Sequence, residues 1–213
     1  MIMKSVFSDP RREPTHPAPL RSTVAATLVV GALLVGCGAE EDDSLPVCDE
    51  ALCTVDDRDD SGDMVQTTVV YAPDEDKPVY FSFSAPGAAL SEDEVAAGAW
   101  DLSFARTVIK TNGGASGDGG VEVSWVADAD ISDAGAPPAD GWVSDGGDED
   151  SLAFSQGDGW YRYDLLKHVV EPRSRLYYVR TGDGATYAVQ MVSYYDYAGE
   201  SRNPTFDWIA VDG

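Results

Sequence analysis

The stretch Trp100–Gly120, WDLSFARTVIKTNGGASGDGG, constrains this chain more than any other. Trp100, Leu102 and Phe104 alternate with Asp101 and Ser103, the two-residue period of a strand with one buried face. After Thr107-Val108-Ile109 the period stops. Five of the nine residues from Asn112 to Gly120 are glycine, so the backbone there turns sharply or meets another segment closely. Val121, Val123 and Trp125 then resume the alternation. Strand, glycine-rich loop and returning strand form a kernel that no helical protein accommodates.

The same punctuation extends on both sides. Gln66–Tyr71 is β-branched, and Val79, Phe81 and Phe83 alternate with Tyr80, Ser82 and Ser84 before Pro86-Gly87. Further strand patterns occupy Ser151–Gln156, Trp160–Tyr163, Leu176–Thr181, Tyr187–Tyr195 and Phe206–Val211. Ser91, with Glu94 three residues on, caps at most one helical turn ending at Gly98. No helical period persists over ten residues and no internal repeat occurs. About eight to ten strands with short turns predict an all-β fold, a single antiparallel β-sandwich or open-barrel-like domain with long loops.

Upstream lies an export address. Arg11, Arg12 and Arg21 precede the apolar run Val24–Val35. This run is too short for a bilayer core of about 30 Å, which makes it the apolar region of a signal peptide. Leu34-Val35-Gly36-Cys37 matches the bacterial lipobox, with Cys37 as the acylated residue. Gly38 follows instead of the aspartate that favours inner-membrane retention, so the expected location is the outer membrane. Ala39–Asp63 carries eleven acidic residues and only Arg58 as a base, and such segments stay extended and solvated. The predicted organisation is a signal peptide over 1–36, an acidic lipid-anchored tether over 37–63 and the all-β domain over 64–213. Within the tether, Cys48 and Cys53 suggest a small disulfide loop in an exported chain, with a metal pair as the alternative.

Charge removes one function class. The chain carries 14 basic and 38 acidic residues, a net charge of −24, and only ten of the bases follow Cys37. Such a surface repels nucleic acid and anionic headgroups. Catalytic motifs are missing as well. One histidine, His168, follows Cys37, without a nucleophile elbow, a zinc-type histidine pair or a phosphate loop. No enzyme is expected. The clusters Asp128, Asp130, Asp133 and Asp145, Asp148, Asp150 offer oxygen ligands for Ca²⁺ but lack the EF-hand frame, and solvated loop is the simpler reading.

The segment Trp160–Arg180, WYRYDLLKHVVEPRSRLYYVR, stands out. Arg162, Lys167, Arg173, Arg175 and Arg180 are half of the bases after Cys37, set among four tyrosines and His168. Apolar walls, hydroxyls and guanidiniums suit a flat, anionic ligand. The plainer alternative is that these bases offset the acidic surface.

Several of these pieces resemble the HmuY-like family of bacterial haem-binding lipoproteins. The resemblance rests on Trp100–Phe104, Lys110–Gly114 with Ser116-Gly117 and Gly119-Gly120, and Trp160-Tyr161 with Tyr163-Asp164. His168-Val169-Val170 with Pro172, Tyr178–Arg180, Gly184 with Tyr187, Ser193–Tyr195 and Thr205-Phe206 follow in family order. It implies an all-β outer-membrane lipoprotein that captures haem, directly or from haemoproteins, for a TonB-dependent receptor, with the iron held between two axial side chains. The chain departs from a two-histidine site, because His168 stands alone. The candidate haem-binding residues are His168, Arg162, Tyr163, Lys167, Arg173, Arg175 and Met191, the last through its thioether. A non-enzymatic surface module that binds a protein or glycan is the alternative reading.

Overall fold

The computed structural model describes residues 45–46, 48, 50–56 and 64–212. Cys37, the apolar export run and most of the predicted tether lie outside the described residues. Among the described residues eleven strands form: β1 (Leu52–Asp56), β2 (Gln66–Val70), β3 (Val79–Phe81), β4 (Leu102–Ala105), β5 (Val108–Thr111) and β6 (Glu122–Ala127). They continue as β7 (Tyr161–Asp164), β8 (Val169–Pro172), β9 (Arg175–Arg180), β10 (Thr186–Tyr195) and β11 (Ser201–Val211). A six-stranded sheet runs β1-β2-β11-β10-β9-β6, a three-stranded sheet runs β3-β4-β5, and β7-β8 is a separate hairpin. Every pairing in them is antiparallel. The all-β expectation holds, as unclosed sheets.

Period-two patterning explains how the sheets meet. Phe81, Leu102, Phe104 and Ile109 turn inward from the small sheet and are at most 2% exposed. They join Val70, Val189, Phe206 and Trp208 of the large sheet in one core. Phe83 stacks on Tyr187 at 4.1 Å, Phe104 on Phe206 at 5.4 Å, and Phe81 meets Phe206 edge-on at 5.3 Å. Aromatic pairs of this kind each contribute about 0.5–1.5 kcal/mol beyond area burial. On the opposite face of the large sheet, Leu176, Tyr178 and Ala188 form a second cluster under Ile131, Trp142 and Ile209. Strand β9 is therefore covered on both faces, and all its residues but Arg180 are buried.

The glycine-rich loop is the junction between the sheets. The Asn112 amide donates to the carbonyls of Gly98 and Trp100 at 3.1 and 2.8 Å, and its oxygen accepts from Gly119 N–H at 3.0 Å. A Cβ on Gly113 would lie 2.0 Å from the Val121 carbonyl oxygen, so close backbone approach demands glycine there. Asp145 is buried, and its carboxylate accepts the N–H groups of Thr111 and Ala153, each at 2.8 Å. It fixes a loop, with each carboxylate oxygen engaged by a backbone N–H. Asp130 and Asp148 cap single 3₁₀ turns.

Three local expectations meet different outcomes. The capped turn forms as α1 (Glu92–Ala96), with Ser91 and Glu94 bonding reciprocally. Ser151–Gln156 is not a strand. It runs from the end of one 3₁₀ turn, Glu149–Ser151, through a second, Ala153–Ser155, and Leu152, Ala153 and Phe154 are buried consecutively and not alternately. Leu52–Asp56, assigned to the tether, is the edge strand β1. It pairs with β2 from Leu52↔Val70 to Asp56↔Gln66, and Leu52 is wholly buried in the core. One apolar anchor and a ladder of backbone bonds outweigh the acidic surroundings. Cys48 and Cys53 are joined by a disulfide beside this strand, with their Cα atoms 5.9 Å apart. Among the described residues, no helix is long and apolar enough to cross a membrane.

Candidate functional site

The face of the small sheet opposite the core borders a cavity of about 1100 Å³. Tyr80, Ser103 and Lys110 form one cross-strand row on this face. Each neighbours an inward-facing Phe81, Leu102, Phe104 or Ile109, so the same alternation that builds the core exposes this row to the cavity. Trp100 meets Tyr80 edge-on at 5.2 Å. Arg106 enters from the β4–β5 turn, and Tyr194, Tyr195 and Arg202 enter from the β10–β11 end. The β7-β8 hairpin supplies Tyr161, Tyr163, His168 and Val170.

The hairpin is held at both ends. At its base, Trp160 Nε1–H donates to the Thr107 carbonyl at 2.8 Å, tying it to the small sheet. Val170 N–H donates to the Tyr195 hydroxyl at 2.9 Å, tying it to β10. At its turn, the Asp164 carboxylate accepts N–H bonds from Lys167 and Leu166 at 3.0 and 2.8 Å. Those bonds hold the Asp164 carboxyl below the ordinary aspartate range. His168 adopts φ +57°, which closes the turn and directs the chain into β8.

His168 Nδ1 lies 3.1 Å from the Tyr163 hydroxyl. When Nδ1 carries the proton and donates to Tyr163, Nε2 holds a lone pair. Nε2 makes no hydrogen bond among the described residues. Across the cavity, burial holds the Tyr194 hydroxyl above the ordinary tyrosine range, with Arg106 and Arg202 pulling it the other way. Arg106 is paired with Glu75. Lys110 and Arg202 form no ion pair among the described residues. An imidazole donor, aromatic walls and scattered cations suit a flat ligand with an apolar body and anionic substituents.

Of the candidate haem-binding residues His168, Arg162, Tyr163, Lys167, Arg173, Arg175 and Met191, only Tyr163 and His168 line this cavity. Arg162 pairs with Glu171, and Lys167 pairs with Asp164 and Glu171, both on the outer side of the hairpin. Arg173 donates to the Asp158 carbonyl. Arg175, only 7% exposed, donates to the carbonyls of Gln156, Gly157 and Gly159 and lies near the rings of Trp125 and Tyr177. Arg162, Arg173 and Arg175 border a separate recess. The expected basic rim is thus dispersed, because alternate residues of a hairpin face opposite ways and β9 is an interior strand. Met191 is 3% exposed in the core and does not line the cavity. The cavity cations are instead Arg106, Lys110 and Arg202, of which only Lys110 entered the sequence reading, as part of the family motif and not as a ligand contact. Arg106 and Lys110 share the β4–β5 hairpin, Arg202 lies far along the chain at the start of β11, and no local pattern marks the three as one set.

Fold and site together define an all-β protein with a side-chain cavity between a small sheet and a hairpin. The family model of the HmuY protein matches residues 74–208. The chain belongs to the HmuY family. A Bacteroides fragilis protein predicted to be a lipoprotein has a similar structure, 22% identical with a TM-score of 0.53, covering 76% of this chain and 96% of that one. Apo PinO from Porphyromonas gingivitis is 15% identical with a TM-score of 0.53, covering 70% and 97%. The apo HmuY analogue TFO from Tannerella forsythia is 12% identical with a TM-score of 0.52, covering 75% and 97%. These likenesses establish the shared fold. A search of curated proteins finds no match.

Proposed function

We propose that this protein is an exported, lipid-anchored haem-binding protein whose cavity holds the porphyrin between the small sheet and the β7-β8 hairpin. Family membership and the cavity chemistry support this reading. The observation that carries it is His168, an imidazole on the cavity wall whose Nδ1 is engaged by Tyr163 and whose Nε2 is left for a metal. His168 would supply one axial ligand to the iron. Any further protein ligand would have to be a non-imidazole group, with water as the alternative, since no second histidine follows Cys37. Lys110, Arg202 and Arg106 would meet the propionates, and Tyr80, Trp100 and Tyr161 the ring. Acylation at Cys37, an outer-membrane location and haem transfer to a TonB-dependent receptor belong to the same proposal. So does the division into signal peptide, tether and domain, with the domain now beginning before Leu52.

An absorbance titration with haemin tests it. Wild type is expected to shift the Soret band with one equivalent, and His168→Ala to lose that spectrum or weaken binding at least tenfold. Without a shift in wild type the haem reading fails. An unchanged spectrum in His168→Ala would retain haem binding and remove His168 as ligand.

A further inference from the structure

The turn of the β7-β8 hairpin presents two adjacent leucines to solvent, Leu165 at 75% and Leu166 at 95% exposure. Neither lines the cavity. The turn is well ordered by its own bonds. Asp164 accepts the N–H groups of Leu166 and Lys167, and the Lys167 ammonium reaches Asp164 and Glu171 at 3.3 and 3.5 Å. Turns favour small polar residues, so nothing in the backbone calls for leucine at either place. The leucines are held outward by a rigid frame.

The charge around them departs from the rest of the molecule. On a chain of net charge −24, the side chains of Arg162 and Lys167 are 67% exposed, while their partners Asp164 and Glu171 are 24% and 28% exposed. Cations therefore face outward and carboxylates inward. Tyr163, 48% exposed, stands behind the turn. From the tip inward the order is leucines, then ammonium and phenol. A segment entering a bilayer interface has this order, with apolar groups at the acyl boundary and amphipathic or cationic groups among the phosphates. Two leucines and a tyrosine edge offer roughly 300 Å² of apolar surface, against about 800 Å² per partner in a stable protein complex. A convex tip of that size suits a fluid lipid surface better than a protein pocket.

We infer that the hairpin tip docks on a phospholipid surface, inserting Leu165 and Leu166 with Lys167 and Arg162 against the lipid phosphates. Because Tyr163 and His168 sit on the same hairpin, docking holds the cavity beside the lipid surface. This inference does not depend on which ligand the cavity takes.

The mature exported chain, added to or reconstituted in phosphatidylcholine vesicles, provides the test. Leu166→Cys carrying an environment-sensitive fluorophore is expected to shift to the blue and to be quenched by brominated lipids. The same label at Glu92→Cys, on the exposed helix α1, is expected to stay in water. Adding Leu165→Asp should return the label at 166 to the level of the label at 92. A label at 166 as solvated with vesicles as without them overturns the inference. So does photocrosslinking of position 166 in cells to one defined protein in place of lipid.

Discussion

The kernel Trp100–Gly120 and the segment Trp160–Arg180 are both dense in polar groups, and they spend them in opposite ways. In and around the kernel, polar side chains turn inward onto backbone. Asn112 holds three backbone groups, Asp145 holds two, and Asp101 accepts from Ser82 and Phe83. In the second segment most charges pair with each other at the surface, where an ion pair contributes about 0–1 kcal/mol. Arg173 and Arg175 depart from this by donating to backbone carbonyls, and Arg175, buried, behaves like a kernel residue. In so acidic a chain, what a charged residue does is set by whether its partner is backbone or another surface charge.

The largest effect is expected where that distinction is sharpest. Arg175 donates to the carbonyls of Gln156, Gly157 and Gly159, a loop in which Gly157, Asp158 and Gly159 all have positive φ. Removing the guanidinium strips these part-buried carbonyls of a charged donor, each such bond contributing about 1.5–3 kcal/mol, although Gln156 keeps the N–H of Gly159. Arg175→Ala should therefore destabilise by about 3–5 kcal/mol and lower Tm by roughly 10 °C. Arg162→Ala, thirteen positions earlier, should change stability by less than about 0.5 kcal/mol. Equilibrium urea unfolding of the two variants measures the contrast, and equal effects would erase it.

Next in size is the kernel glycine. Gly113→Ala places a methyl group 2.0 Å from the Val121 carbonyl oxygen, so the loop must move away from the returning strand. Overpacking of this kind costs about 2–3 kcal/mol. Gly147→Ala, with nothing within 4 Å, should stay within about 0.5 kcal/mol of wild type. Thermal unfolding of both variants separates a glycine required by contact from one that only lies in a loop.

How much of this was legible in the sequence follows the same division. Strands with one covered face, such as β3 and β4, announce themselves by alternation, and so does the helix cap at Ser91. Alternation fails where both faces are covered, so Arg175 at the start of β9 reads as a surface base although it is buried. It misleads at Leu152–Phe154, where consecutive burial in a 3₁₀ turn imitates a strand. Strand β1 was hidden by the acidic residues around it, since a register of backbone bonds leaves no trace in composition. His168 and Tyr163 were legible as candidates within one basic, tyrosine-rich segment. Arg106, Lys110 and Arg202 were not legible as a set, because only folding brings the β4–β5 hairpin and the distant start of β11 to one cavity.

The smallest effect compares one carboxylate from each region, with opposite signs. Burial pushes the Asp101 carboxyl above the ordinary aspartate range, with Asp183 adding to the shift and the bonds from Ser82 and Phe83 opposing it. A folded-state value above the unfolded one means that the proton is held more tightly in the folded protein. The associated stability is present in acid, below the unfolded value, and is lost as pH rises through the raised folded value. Asp164 is shifted down by its bonds to Lys167 and Leu166, so its contribution is present at neutral pH and lost as pH falls through the lowered value. Asp101→Asn keeps an oxygen for Ser82 and Phe83 while removing the buried charge. It is expected to stabilise the protein by a few tenths of a kcal/mol at pH 7, since partial exposure screens the charge. The gain should vanish as pH falls and Asp101 takes up its proton. Asp164→Asn should destabilise at pH 7, and that loss should also fade in acid. Urea midpoints of wild type and both variants at pH 7 and pH 3.5 measure the four differences. A loss of stability in Asp101→Asn at pH 7 would mean that the bonds to the ionised carboxylate outweigh its burial, and the two carboxylates would then behave alike.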